Sequence, residues 1–266
     1  MPAHPSDVPI IETRDLSKTY GRFVALHGLD VAIPEGSVFA LLGASGAGKT
    51  TVIKILLNII PPTRGSATIL GVESQGIGPA VLARIGYVSE NQAMPGRLRV
   101  ADFLSYLRSC YADWDRNLED ELRGQLGLPP DRKIGDLSHG MRLKMALACA
   151  LPFRPKLLVL DEPLSGLDAL ARDEIIAGFM RQAGRTTILI SSHELDEVER
   201  FATHVAFLHD GRLLFQGSMS ALAEHARPLM PQAGLEASER PSLRDLFVAM
   251  VRAARRDSNH PPAQST

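Results

Sequence analysis

The sequence of 266 residues predicts an α/β fold built on a parallel sheet, with a helical block inserted between the two halves of that sheet. Three observations carry this reading. Short, nearly unbroken apolar runs at Val38–Leu42, Leu157–Leu160 and Thr187–Ile190 read as strands, the first with the composition of a strand covered on both faces. Apolar residues at helical spacing over Thr50–Ile60 and Leu170–Ala183 alternate with those runs, as strand–helix–strand units require. Between about residues 98 and 150 the texture turns wholly helical.

Taken in order, residues 1–9 hold three prolines and few apolar side chains, and are expected to form a loose leader. Residues 10–42 break into short strands with tight turns: Ile10–Thr13, then Val31–Ile33 before Pro34-Glu35-Gly36, then Ser37–Leu42. A glycine-rich loop follows and opens the helix Thr50–Ile60, which Pro61-Pro62 is expected to stop. Ile85–Val88 reads as a further strand. In the helical block, Phe103, Leu104, Leu107 and Cys110 share one face, Leu118, Leu122 and Leu126 form a second stripe, and Leu143–Leu151 is a compact apolar helix. Pro241–Ala254 reads as an amphipathic helix, and Asp257–Thr266 as a disordered end. No internal repeat is found.

Composition excludes several function classes. The 29 Lys and Arg against 30 Asp and Glu leave no global basic footprint for nucleic acid, and no nucleic-acid partner is expected. No apolar run approaches the about 20 residues of a spanning helix, and MPAHPSDVP has neither the basic nor the apolar part of a signal peptide. Cys110 and Cys149 form no CxxC motif and no disulfide framework, which fits a reducing compartment.

Two motifs carry chemistry. Gly43-Ala44-Ser45-Gly46-Ala47-Gly48-Lys49-Thr50 fits GxxxxGK[ST] letter by letter, between a buried strand and a helix. Glycines let backbone N–H groups curl around a phosphate, the helix start adds its positive end, Lys49 supplies a point charge and the Thr50 hydroxyl suits Mg²⁺. These residues, with Thr51 beyond them, are the candidate nucleotide-binding set. Leu157–Leu160 then runs into Asp161-Glu162, so a buried strand delivers two acids at the edge where open α/β sheets bind ligands. Asp161 is suited to hold Mg²⁺, and Glu162 to act as general base for an attacking water.

With these motifs in place, the chain resembles, over about residues 10–220, the nucleotide-binding subunit of ATP-binding cassette transporters. Leu137-Ser138-His139-Gly140-Met141 is similar to the family signature LSGGQ, Ser165-Gly166-Leu167-Asp168 to its D-loop, and His193 to its switch histidine. Tyr20 stands where the family places an aromatic ring against adenine. The resemblance implies a P-loop NTPase core with a parallel sheet, an N-terminal antiparallel β subdomain and the inserted helical subdomain at about 98–150. Residues 221–266 then form a C-terminal helix and tail. It implies ATP and Mg²⁺ as ligands, and catalysis by Lys49, Glu162 and His193. It also implies a head-to-tail pair of such subunits, identical or not, in which Ser138, Gly140 and Asp168 meet nucleotide bound by the opposite chain. A transmembrane permease partner would hold the chain at the cytoplasmic face of the membrane and seat a helix near Glu90–Leu104.

Two positions depart from the family pattern. Ser89-Glu90, with Gln92 two residues on, replaces the usual Gln, and places Glu90 within reach of Mg²⁺ or the attacking water. His139 replaces a signature Gly, either crowding a backbone that must approach phosphate or offering an imidazole to it. Glu90 and Trp114-Asp115 together resemble a bacterial exporter-type branch. Alternatives to a transport ATPase are a soluble ATPase of this class acting on a nucleic-acid or ribosomal assembly, and a regulatory module with weak turnover. His193-Glu194-Leu195-Asp196-Glu197 is not HExxH. Asp196, Glu197 and Glu199 read as a solvated helix face, Cys149 as core, and Arg252, Arg255 and Arg256 as cations at an exposed helix end.

Overall fold

The computed structural model describes residues 9–234 and 241–259. Two sheets share the chain. The first holds β1 (Pro9–Tyr20), β2 (Phe23–Leu29), β3 (Ala32–Pro34), β5 (Arg64–Ile69) and β6 (Val72–Glu73), all antiparallel. The second runs β11-β10-β4-β9-β8-β7, from β4 (Val38–Leu42), β7 (Ile85–Ser89), β8 (Leu157–Asp161), β9 (Thr187–Ser192), β10 (His204–His209) and β11 (Arg212–Ser218). Its neighbours are parallel except for the β10–β11 hairpin. The helices are α1 (Lys49–Leu56), α2 (Pro79–Leu82), α3 (Val100–Cys110), α4 (Arg116–Gln125), α5 (His139–Ala150), α6 (Ala169–Met180), α7 (Leu195–Val198), α8 (Met219–Ala226) and α9 (Leu243–Asn259). This is the α/β class that the sequence predicts, and among the described residues no helix is long and apolar enough to cross a membrane.

Strand periodicity sorts side chains between two cores. Val38, Ala40 and Leu42 of β4, with Leu158 and Leu160 of β8, face the core that α3–α6, α8 and α9 complete. Phe39, Leu41, Leu157 and Val159 face the other, shared with α1 and the antiparallel sheet through Ile11, Leu16, Leu26 and Ile69. Every residue of β4, β8 and β9 is buried, so helices or the antiparallel sheet cover both faces.

Several boundaries differ from the sequence expectation, each for a local reason. The first strand is one bent span of twelve residues rather than a short piece, because Asp15, at φ 47°, and two shifts of register against β2 let it turn without breaking. The helix after the phosphate loop ends at Leu56, before the prolines, where Asn58 takes the left-handed conformation. Asp257–Asn259 are not an unstructured end but the last residues of α9. The expected leader lies outside the described residues apart from Pro9, which is in β1, and so does the expected tail from residue 260.

Side-chain caps and one buried acid fix the helical block. Asp115 accepts from the Leu118 amide at 3.1 Å and pairs with Arg154, whose guanidinium holds its carboxyl below the usual range. Trp114 Nε1 donates to Glu119 at 2.6 Å, and Arg108 meets the same buried carboxylate at 2.7 Å, tying α3 to α4. Tyr111 stacks on Phe153 with centroids 4.2 Å apart. The Trp114-Asp115 pair therefore has a structural role here.

Asp196 and Glu199 are exposed and Glu197 is partly buried, and each acid on this face also has a partner. Asp196 pairs with Arg244 at 2.9 Å, Glu197 with Arg172 at 3.5 Å and Arg200 at 3.3 Å, and Glu199 accepts from the Leu243 amide at 3.1 Å. Arg252 is exposed on α9, and its guanidinium donates to the Ala233 carbonyl.

The two thiols differ sharply. Cys110 is exposed, whereas burial pushes the Cys149 thiol up to about 12, with the Glu119 charge adding to the effect. Cys149 therefore stays in the thiol form at pH 8, where the thiolate is the reactive species. Iodoacetamide at pH 8 is expected to label Cys110 and spare Cys149 in the folded chain, and to label both after denaturation. Mass mapping that finds equal labelling rates before denaturation overturns this assignment.

Candidate active site

The site forms where β4 and β8 end. Beyond Leu42 the chain curls through Gly43–Gly48 into α1. Gly48 has φ 104°, and a Cβ there would sit 2.6 Å from Leu26 Cδ2. A Cβ on Gly43 would collide with the Leu208 carbonyl. Only glycine lets the loop close this tightly.

Lys49 is 5% exposed. Its ammonium donates to the carbonyls of Gly43 at 2.6 Å and Ala44 at 3.1 Å, and pairs with Glu162 Oε1 at 3.0 Å. Those three acceptors match the three protons it carries.

The acid pair divides by environment. Asp161, the last residue of β8, is buried, and its Oδ1 accepts from Thr50 Oγ1 at 3.1 Å and from Ser191 Oγ at 2.6 Å. Glu162 leaves the strand at φ 52°, a left-handed turn that points it at Lys49. Its amide donates to Ser191 Oγ at 3.0 Å, and its Oε2 lies 2.8 Å from His193 Nδ1. His193, just past β9, is 41% exposed. Thr50, Asp161 and Glu90 present hard oxygen donors of the kind Mg²⁺ takes, and the 3.1 Å contact of the first two shows that they converge.

Lys49, Thr50, Glu90, Glu162 and His193 line one cleft of about 420 Å³ together with Tyr20, Phe23, Ser45, Gly46 and Thr51, and the buried Asp161 reaches it through Thr50. Tyr20 is 45% exposed and Phe23 63% exposed, so the far end offers two open aromatic rings. Ala44 joins the site through its carbonyl. Ala47 does not face the cleft, since it is buried in the core beneath the loop.

Ser138, Gly140 and Asp168 do not converge on Lys49. They line a separate hollow with Lys144, Leu170 and Glu174. Ser138 caps α5, accepting from Met141 at 3.3 Å, and Asp168 caps α6, accepting from Ala171 at 2.9 Å. His139 lines the same hollow, and its imidazole Nε2 lies 3.3 Å from the Ser165 carbonyl. Glu90 reaches both the nucleotide cleft and a smaller pocket that His139 and Arg142 line.

Sequence reasoning missed Ser191, Phe23 and Arg172. Ser191 anchors both acids, and its signal is a polar residue at the end of an apolar run two positions before His193. Phe23 carries a signal too, as an aromatic residue beside the Tyr20-Gly21 turn. Arg172 meets Glu194 at 3.1 Å, and no local pattern announces that contact.

Comparison with known proteins agrees with this geometry. The family described as ABC transporter matches residues 26–165, which hold Lys49, Asp161 and Glu162 but stop before Asp168 and His193. The bacitracin transport ATP-binding protein BcrA of Bacillus licheniformis is 35% identical over 209 residues, spanning 77% of this chain and 68% of that protein. The Nod factor export ATP-binding protein I of Sinorhizobium fredii is 33% identical over 226 residues, spanning 82% and 65%. The solved structure of an ATP binding subunit of an ABC transporter aligns with a TM-score of 0.78 at 26% identity, covering 91% of this chain and 99% of that one.

Ser191→Ala is expected to lower unfolding free energy by about 2 kcal/mol, since it strips a charged acceptor of a buried partner. An unchanged denaturation midpoint would show that Ser191 is not the anchor of the pair.

Proposed function

The chain belongs to the ABC transporter family, and on that premise we propose that it is the ATP-binding and ATP-hydrolysing subunit that powers a membrane permease, working in export. The observation that carries the hydrolytic reading is the Glu162 carboxylate, held between Lys49 Nζ at 3.0 Å and His193 Nδ1 at 2.8 Å. The electrostatics of that contact suggest a sequence of events. All three Lys49 protons are engaged, so a phosphate can draw the ammonium to itself only by displacing one of the acceptors. Glu162 Oε1 is the acceptor on a side chain, free to rotate away, while the two carbonyls are fixed in the loop. Arrival of the nucleotide therefore frees one carboxylate oxygen to take a proton from water, while His193 steadies the other. Thr50, Asp161 and Glu90 would hold Mg²⁺, which when bound offsets charge on the β- and γ-phosphates. Tyr20 and Phe23 would receive the base.

The reading as one half of a pair draws support from the two separate hollows. Ser138, at the start of α5, and Asp168, at the start of α6, stand apart from the chain's own Lys49, yet α5 is a twelve-residue helix whose N-terminus suits an anion. Nucleotide on a second subunit would complete that site, and closure follows because only the closed state makes both sets of contacts.

The permease reading draws support from an apolar groove lined by Tyr87, Met94, Phe103, Leu107, Tyr111 and Phe153, between β7 and the helical block. Burial pushes the Tyr87 phenol up, so its hydroxyl stays neutral on the groove wall. An amphipathic helix of the permease would fill it, placing the chain at the cytoplasmic face of the membrane. Export is the direction that the names of the bacitracin and Nod factor relatives suggest.

Two outcomes are expected. Glu162→Gln keeps ATP affinity and loses nearly all turnover in a phosphate-release assay; turnover at the wild-type rate removes Glu162 from the role of base. A mild-detergent pull-down of the tagged chain from its own membranes recovers a stoichiometric partner with several membrane spans. Recovery with a ribosomal or DNA-bound partner would retire the transport reading.

A further inference from the structure

We propose that Arg172 is a positioning residue for hydrolysis: it ties the first turn of α6, next to the loop Ser165–Asp168, to the turn that carries His193, and so sets the His193 ring against Glu162. The inference rests on the hydrolytic reading given above and adds to it a residue that touches neither nucleotide nor water.

His193 needs such support. Its ring is 41% exposed, and the contact with Glu162 Oε2 is its hydrogen bond among the described residues. Packing does not hold an imidazole of that exposure in place, so its aim depends on the backbone that carries it. On the strand side, the Gly43 amide bonds the Ser192 carbonyl, and Ser192 Oγ accepts from the Glu194 amide at 2.9 Å. On the other side the chain enters α7, a single turn of four residues, too short to be stiff by itself.

Leu195 and Val198 bury the apolar side of that turn in the core, and Arg172 fixes its polar side. Its Nη2 lies 3.1 Å from Glu194 Oε1, and its Nη1 lies 3.5 Å from Glu197 Oε1. One planar guanidinium thus holds the residue after His193 and the turn behind it together. The three side chains are about one-quarter exposed, so water screens them less than it does an open surface pair. Arg172 Nε is buried with no hydrogen-bond partner among the described residues, a cost that this geometry accepts.

The other end of the tie is equally defined. The Arg172 amide donates to the Asp168 carbonyl at 3.0 Å, inside the turn that Asp168 caps. The loop before it begins at Ser165, whose amide donates to the Glu162 carbonyl at 3.3 Å. Glu162, Ser165, Asp168, Arg172, Glu194 and His193 form a closed circuit that returns to Glu162. A displacement of Ser165–Asp168 by a second subunit is therefore carried to the His193 ring chiefly through Arg172, since the parallel link, Arg200 between Asp173 at 3.1 Å and Glu197 at 3.3 Å, is more than half exposed at Arg200 and Asp173.

A nearby pair provides the control. Arg244 and Asp196 also bind α7, at 2.9 Å, but both are more than half exposed. A pair in that setting contributes little.

The test uses the full chain with Arg172→Ala, Arg172→Lys, Glu194→Gln, the double variant Arg172→Ala/Glu194→Gln, and Arg244→Ala. Steady-state ATP hydrolysis gives kcat and KM, equilibrium titration with a fluorescent ATP analogue gives affinity, and ¹³C-labelled histidine NMR reports the His193 ring, assigned with His193→Asn. Arg172→Ala is expected to lower kcat about ten- to hundredfold through misplacement of the ring, with nucleotide affinity within about twofold of wild type. The His193 resonance should move in the same variant. Arg172→Lys should restore part of the rate, the double variant should be no slower than Arg172→Ala, and Arg244→Ala should stay within about twofold of wild type. Wild-type kcat with an unmoved His193 resonance overturns the proposal, and so does a parallel fall in rate, affinity and melting temperature. Absence of ATP hydrolysis in the wild-type chain would instead remove the hydrolytic reading, and the resonance would still report whether Arg172 positions the ring.

Discussion

A strand with no exposed residue can present chemistry only at its ends, and this constraint shapes the whole protein. β4, β8 and β9 are buried from first residue to last. Their side chains alternate between two apolar cores, and a charge within either would lose several kcal/mol of hydration. The polar residues therefore gather where the strands stop. Thr50, Asp161, Glu162, Ser191 and His193 come from three elements far apart in sequence, and parallel register brings them to one edge: Asp161 lies beside Ser191, and Leu42 beside Ser192.

What holds the edge together is mutual compensation of charge. Lys49 and Asp161 are both nearly excluded from water, at 5% and 6% exposure. Neither is tolerable there alone. Lys49 is satisfied by two carbonyls and Glu162, and Asp161 by two hydroxyls. The arrangement is made of contacts that a phosphate or a divalent cation can replace one for one, so the groups that stabilise the site are also those fitted to bind.

Much of this was legible in the sequence, and the reason is physical. An unbroken apolar run followed by two acids has few ways to fold other than as a buried strand ending in charge, so β8 and its pair were readable from Leu157–Glu162 alone. The phosphate loop was readable because each glycine answers a local steric demand. Contacts between distant segments were not. Asp196, Glu197 and Glu199 read as a solvated face, and their partners, Arg172, Arg244 and the Leu243 amide, were not legible because they lie tens of residues away and follow no spacing. Phe23 was missed because its exposed ring follows no apolar period, and only its place beside the Tyr20-Gly21 turn marks it. The helix end at Asn58 was missed because prolines downstream offered a louder stop.

The packing of α8 and α9 bears on how the chain can be divided. Leu222, Ala226, Leu243, Leu246 and Met250 are buried in the same core as Val205, Phe207 and the sheet above the nucleotide cleft. Phe247 lies 5.0 Å from Phe207 between ring centroids. A truncated chain ending near residue 220 would keep every residue that we assign to nucleotide yet expose one face of β10 to water. The smallest piece that carries the chemistry and the smallest piece that can fold are therefore different lengths, and the difference is the C-terminal pair of helices.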